Sequence, residues 1–266
     1  MLQQMIDFFR SLFSVNGLSP AKIALAVGIA VVFGVLWLSL YRPSPKRVSL
    51  WAILVIAAFL TWTAVAFVQI PLQIWTGKAL LFFWSQAVLE RWILLAGIPG
   101  ILLSGLVQEG AKLVPVVLYW GYKRPRLTSK EGLIAGAAAG AGFGVLEAVW
   151  VSNAIFASGW TWHTVETYGY QALLGFWERL FTVAFHIAVS AIAGYGLARR
   201  WGWQFYLVAA GLHGLVNYAV VLLQSGRLTA VQTEIYVAAV AVAVTGVALA
   251  LRWRKADGVE SVQQQA

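Results

Sequence analysis

The sequence predicts an all-α fold: a polytopic transmembrane helix bundle of about seven spans, with the N-terminus outside and the C-terminus cytoplasmic. Three observations predict it. The chain of 266 residues is 61% hydrophobic and only 11% charged, with a mean hydropathy of +0.77. A soluble domain carries about 25% charged residues, so this chain cannot cover its surface in water and needs lipid as its solvent. Apolar runs of about 20 residues recur along it, each long enough at about 1.5 Å per residue to cross the hydrocarbon layer. Basic residues, finally, collect on alternate loops.

Taken in order, Met1–Phe13 places Leu2, Met5, Ile6, Phe9 and Phe13 at helical spacing, which predicts a helix lying on the membrane surface within an interfacial segment, residues 1–20. A cleavable signal peptide is not expected, because Asp7 and a single early Arg10 precede an apolar run too long for one. Spans follow near Lys22–Tyr41, Leu50–Gln69, Trp92–Tyr119, Gly132–Ala157, Phe176–Ala198, Phe205–Leu223 and Ile235–Leu251. Ala79–Leu89 is too short to span and reads as interfacial or re-entrant. The polar residues 256–266 read as a disordered tail. No linker divides the chain, so residues 1–266 are expected to form one transmembrane domain.

Seven spans place Arg42, Lys46, Arg47, Lys123, Arg124, Arg126, Lys130, Arg199, Arg200, Arg252, Arg254 and Lys255 on one side. Arg10, Lys22, Lys78, Arg91, Arg179 and Arg227 fall on the other. The richer side is cytoplasmic by the positive-inside rule. Tryptophans mark both ends, with Trp51, Trp120, Trp201, Trp203 and Trp253 on the basic side and Trp75, Trp84, Trp92, Trp160, Trp162 and Trp177 on the other. The net charge of +9 is therefore a topology signal, and no nucleic-acid partner is expected. Cysteine is absent, which removes disulfides, thiolate metal sites and cysteine nucleophiles together.

Inside the spans few ionisable groups remain: Glu109, Lys112, Glu147, His186 and His213, joined by Asn217. Each is costly in hydrocarbon unless paired, so such residues face bundle interiors and mark function. Counted from the cytoplasmic helix ends, Glu109, Glu147, His186, His213 and Asn217 all lie roughly 15–24 Å deep. Structural polar residues placed independently would scatter in depth; these share a layer. Gly132, Gly136, Gly140 and Gly144 form a close-packing stripe, and Glu147, three residues beyond it, is turned into the bundle. His186, Ser190 and Gly194 share a face with Arg179 two turns earlier, His213 and Asn217 are an i,i+4 pair, and Glu109 and Lys112 are an i,i+3 ion-pair candidate. The bland readings are that any one of these is a helix-pinning hydrogen bonder, that His163 is merely solvated, and that the glycine run Gly136–Gly144 packs helices. That run lacks the strand–turn–helix setting of a phosphate-binding loop.

Two carboxylates and two imidazoles admit two hydrolytic schemes. A divalent metal such as zinc could be held by His186, His213 and Glu147, with the other glutamate as general base. Without metal, a glutamate could activate water while Asn217 and a histidine stabilise the oxyanion. The same groups would also serve a proton- or ligand-handling membrane transport protein. No serine lies in a nucleophile motif.

The order Gln108-Glu109-x-x-Lys112, Phe143-x-x-x-Glu147, Arg179 with His186 and Gly194-Tyr195-Gly196, then His213-Gly214-x-x-Asn217 is similar to the PrsW-type intramembrane proteases, within the wider CAAX prenyl protease and bacteriocin-processing group. It covers roughly residues 100–220, four helices that would form the catalytic core. The resemblance implies an intramembrane endopeptidase, a metalloprotease in the family's usual description, acting on a membrane-anchored protein or peptide in a prokaryotic cell membrane. Glu109 then belongs to the paired-acid motif with Lys112 as its basic companion, and Glu147, His186, His213 and Asn217 carry the later motifs. Gln108 and Arg179 would support them. The family pattern has two adjacent glutamates where this chain has Gln108-Glu109. A base role at the first position would pass to Glu109 or Glu147, or the chain would be a catalytically degenerate scaffold of the same fold.

Overall fold

The protein is described from a computed structural model, over residues 1–12, 17–123 and 127–254. Phe13, Arg124, Arg126, Lys255 and the expected disordered tail 256–266 lie outside the described residues. Among those described, all regular structure is helical: α1 (Leu2–Ser11), α2 (Pro20–Ser39), α3 (Val48–Ala64), α4 (Ile70–Phe83), α5 (Gln86–Arg91), α6 (Ile93–Ala96), α7 (Ile98–Lys123), α8 (Ser129–Ala157), α9 (Trp162–Tyr168), α10 (Leu174–Ala198), α11 (Gly202–Gln224) and α12 (Ala230–Trp253). Among the described residues, seven helical stretches are long and apolar enough to cross a membrane. The expected fold class of about seven spans therefore holds.

Side-chain chemistry at the ends explains several boundaries. Ser19 caps α2 by accepting from the Lys22 N–H, with Pro20 pre-set at the first helical position. Reciprocal capping boxes open α8 (Thr128 with Glu131) and α12 (Thr229 with Gln232).

The second span differs from its expected form. It runs through α3, a π-helical turn at Val65–Gln69 and α4 as one helical stretch, Val48–Phe83. Pro71 explains the turn: it lacks an N–H and its ring crowds the carbonyl four residues back, and the widened turn, in which the Ile70 N–H reaches Val65 O, absorbs both defects. The segment Ala79–Leu89 is consequently not one re-entrant piece. It is split between the end of α4 and the short α5.

At the centre, α8 and α10 make the most extensive helix–helix contact. The cause is the predicted glycine stripe. A Cβ at Gly132, Gly136 or Gly140 would strike the carbonyl oxygens of Gly194, Ser190 and His186 respectively, so only glycine permits this approach. The stripe of one helix thus registers residue by residue on the His186–Ser190–Gly194 face of the other. α7 and α11 pack beside this pair, and α2, α3 and α12 close the periphery. The N-terminal helix α1 lays Phe8 on Trp62 at 4.6 Å between ring centres, and Trp62 and Trp150 donate to Phe9 O and Ser11 Oγ.

Candidate active site

Four helices bring their polar groups to one place. α7 supplies Gln108, Glu109 and Lys112; α8 supplies Glu147; α10 supplies Arg179, His186 and Ser190; α11 supplies His213 and Asn217. Because α8 and α10 touch through glycine, His186 sits directly beside the Gly140–Gly144 turn, with Phe143 edge-on to its ring at 5.2 Å.

The two carboxylates have different surroundings. Glu109 is sealed, with its side chain 1% exposed. Its Oε1 accepts from Lys112 Nζ at 2.5 Å and pairs with His213 Nδ1 at 2.7 Å, while Oε2 accepts from Ser190 Oγ at 3.2 Å. The i,i+3 pair expected from spacing is therefore made, and it neutralises two charges that burial would otherwise penalise heavily. Glu147 is 22% exposed. Its Oε2 accepts from Arg179 at 2.9 Å and meets His186 Nε2 at 3.2 Å, while Oε1 carries neither contact.

These partners set the imidazole tautomers. Lys112, a donor only, lies 3.0 Å from His186 Nδ1, so that nitrogen accepts and the Nε2–H points at Glu147. His213 donates from Nδ1 to the Glu109 carboxylate, which leaves its Nε2 as the ring's free lone pair. The rings lie 5.3 Å apart.

A cavity of about 100 Å³ meets this cluster. Gln108, Glu147, Arg179, His186, His213 and Asn217 line it, whereas Glu109 and Lys112 do not. Asn217 donates from Nδ2 to Ser104 Oγ at 2.8 Å. The expected site residues are thus all gathered, with Glu109 and Lys112 behind the cavity wall and the rest on it. His163 is apart from them, exposed and paired with Glu166.

Two cavity groups escape a reading of the sequence, and a third, Arg179, is read both as a loop charge and as a support of the site. Glu178, which also accepts from Arg179, and Glu234 belong to the same wall. Glu234 is missed because the seventh span is begun one residue later, at Ile235, although its helix starts at Ala230. Arg179, counted among loop charges, is buried inside α10 and bridges Glu147 to Glu178. Its signal was the spacing of two helical turns from His186.

Ligand-capable atoms of Glu109, His186 and His213 all lie within 4.8 Å of one another. One carboxylate with two imidazoles is a donor set that holds zinc and leaves a position open for water. The donors fit a divalent ion by type, and the ammonium of Lys112, already shared between Glu109 and His186, shows that a cation is accommodated there. A metal bound by this group would take lone pairs that Lys112 now occupies. The carboxylate brought closest to both histidines is Glu109, while Glu147, expected in that role, meets His186 alone of the two.

A family model described as PrsW family intramembrane metalloprotease matches residues 44–247. No curated protein and no solved structure matches the chain.

Proposed function

Because the chain belongs to the PrsW family of intramembrane metalloproteases, we propose that it hydrolyses a peptide bond of a membrane-anchored protein or peptide at the cavity walled by Glu147, His186, His213 and Asn217. The observation that carries this reading is the convergence, at one cavity, of an accessible carboxylate with two imidazoles whose tautomers are each dictated by a neighbour.

The roles follow from which lone pairs are free. Glu147 is held through Oε2 by Arg179 and His186, and its unengaged Oε1 is the atom placed to take a proton from water. Glu109, sealed and fully bonded, does not reach the cavity; it holds His213 so that Nε2 is the free nitrogen. Asn217, on the same face of α11 one turn from His213, is placed to donate to the developing oxyanion. A divalent metal, zinc by donor preference, would be held by His186 and His213 with Glu109, or with Glu147 on the cavity side, and would supply Lewis acidity and a water of lowered pKa.

The chain as one domain, with residues 100–220 as its catalytic core, belongs to the same reading, as does a prokaryotic cell membrane as its location. With the N-terminus outside, as the basic loops favour, Glu178 and Glu234 near the starts of α10 and α12 would set the cavity's outer end.

The test is cleavage of a fluorogenic single-span peptide by the purified protein in liposomes, beside Glu147→Gln and His213→Ala. Both variants should lose activity. Full cleavage in both would overturn the site. Elemental analysis of wild type and His186→Ala separates the two schemes: a stoichiometric metal lost in the variant selects the metal-bound one, and none in either selects direct activation by glutamate.

A further inference from the structure

Gln108 stands where the family pattern has a glutamate, and its surroundings define what it does there. It is buried, 6% exposed, and lines the cavity. Its Nε2 donates to Gln69 Oε1 at 3.0 Å, while its own Oε1 is buried without a partner. Gln69 belongs to the π-helical turn that Pro71 forces on the second span, outside the four helices that carry the site.

The hydrogen bonds continue in one direction. Gln69 Nε2 reaches Gln73 Oε1 at 3.5 Å, and Gln73 Nε2 donates to the backbone carbonyl of Gly100 at 2.9 Å. The head of the chain decides its polarity. A carbonyl oxygen can only accept, so Gln73 must present its NH₂ to Gly100 and its oxygen to Gln69. Gln69 must then turn its NH₂ to Gln73 and its oxygen to Gln108, and Gln108 must spend its NH₂ on Gln69. The amide oxygen of Gln108 is what remains. An isolated glutamine could flip its amide freely; in this relay a flip of Gln108 would set its oxygen against that of Gln69, and a flip of Gln69 would oppose two oxygens at one junction and two NH₂ groups at the other.

Resting on the proteolytic reading above, we infer that Gln69 and Gln73 are positioning residues that hold Gln108 with its Oε1 as a fixed hydrogen-bond acceptor for a backbone N–H of the substrate peptide. A peptide bound for hydrolysis carries such donors on both sides of the scissile bond, and a buried acceptor with no protein partner costs stability until one arrives. A glutamate here would act as a base. The glutamine acts instead as a substrate clamp, and the base role lies with Glu147.

The test uses two readouts on the full chain in nanodiscs. In the first, ¹⁵N-glutamine labelling, with the Gln108 side-chain amide assigned by its loss in Gln108→Leu, follows the Gln108 Nε2 hydrogens. They should be exchange-protected in wild type and in Gln69→Glu, because a neutral carboxylic acid offers the same acceptor and donor as the amide. They should lose protection in Gln69→Met. In the second, cleavage of the fluorogenic single-span peptide should fall about tenfold in kcat/KM for Gln69→Met and for Gln108→Leu. Gln69→Glu should restore it, and the double variant Gln69→Met/Gln108→Leu should fall no further than Gln108→Leu alone. Unchanged protection in Gln69→Met, or losses that multiply in the double variant, would overturn the relay. If wild type itself cleaves nothing, the proteolytic reading fails and the substrate clamp with it, while the protection pattern still decides the relay that orients Gln108.

Discussion

The inner pair α8–α10 and the outer helices α2 and α12 are built on opposite rules. In α8 and in the stretch that includes α10, 72% and 83% of the apolar window is buried, at mean hydropathies of 1.6 and 1.7. In α2 and α12 the buried shares are 17% and 28%, at 2.3 and 2.1. Of these four, the least buried are thus the more apolar. In water the relation would run the other way, because there hydrophobicity drives burial. In a bilayer, lipid is as apolar as any side chain, so nothing pulls a leucine-rich helix inward. The interior is reserved for residues that gain from leaving lipid: small ones that let backbones touch and polar ones that need partners. Gly132, Gly136 and Gly140 are of the first kind, Glu109, Lys112 and His186 of the second.

The contrast can be broken at the inner helices and should resist change at the outer ones. The largest effect is expected at the cavity: Glu147→Gln should lower cleavage by roughly 10²–10⁴-fold with little change in thermal stability, read by a peptide assay beside a melting curve. Next comes Lys112→Met, which strands the buried Glu109 carboxylate and should cost about 3–5 kcal/mol of stability in a denaturation titration. The double change Lys112→Met with Glu109→Leu should recover part of that loss, since it removes the stranded charge. Gly140→Val pushes a side chain into the His186 carbonyl and should cost about 1–3 kcal/mol, lowering the melting temperature and activity together. Smallest is Val32→Ala on α2, where the side chain is 62% exposed; stability should stay within about 0.5 kcal/mol. A loss at Val32 equal to that at Gly140 would erase the distinction between the two regions.

Orientation gives an independent check. The chain contains no cysteine, so a single cysteine at Ser85 or at Lys46 is a unique label. With the N-terminus outside, a membrane-impermeant maleimide added to intact cells should reach position 85 and not position 46.

Much of the site was legible because membrane burial makes polar residues conspicuous. Glu109, Lys112, Glu147, His186, His213 and Asn217 stand out against apolar spans, and the spacing from Glu109 to Lys112 already implied their contact. The glycine stripe was legible for the same reason, since a four-residue repeat of the smallest side chain has few uses other than close approach. Glu234 and Gln69 were not legible. Each sits at the edge of an apolar run, where a polar residue reads as the end of a span. Only the helix extending past that edge turns it inward.

The sequence by itself determined that this chain lives in lipid, how many spans it makes and which rare polar residues share a depth, because hydropathy and spacing are properties of single helices. The tertiary structure decided which carboxylate is sealed and which is open to the cavity, which nitrogen of each histidine is free, and where the lone oxygen of Gln108 points. Those depend on partners from other helices, Lys112 against His186, His213 against Glu109 and Gln69 against Gln108, whose meeting is settled by how the spans pack. The physical reason is that a hydrogen bond has direction as well as reach: a shared depth brings groups close, but only packing decides which atom faces which.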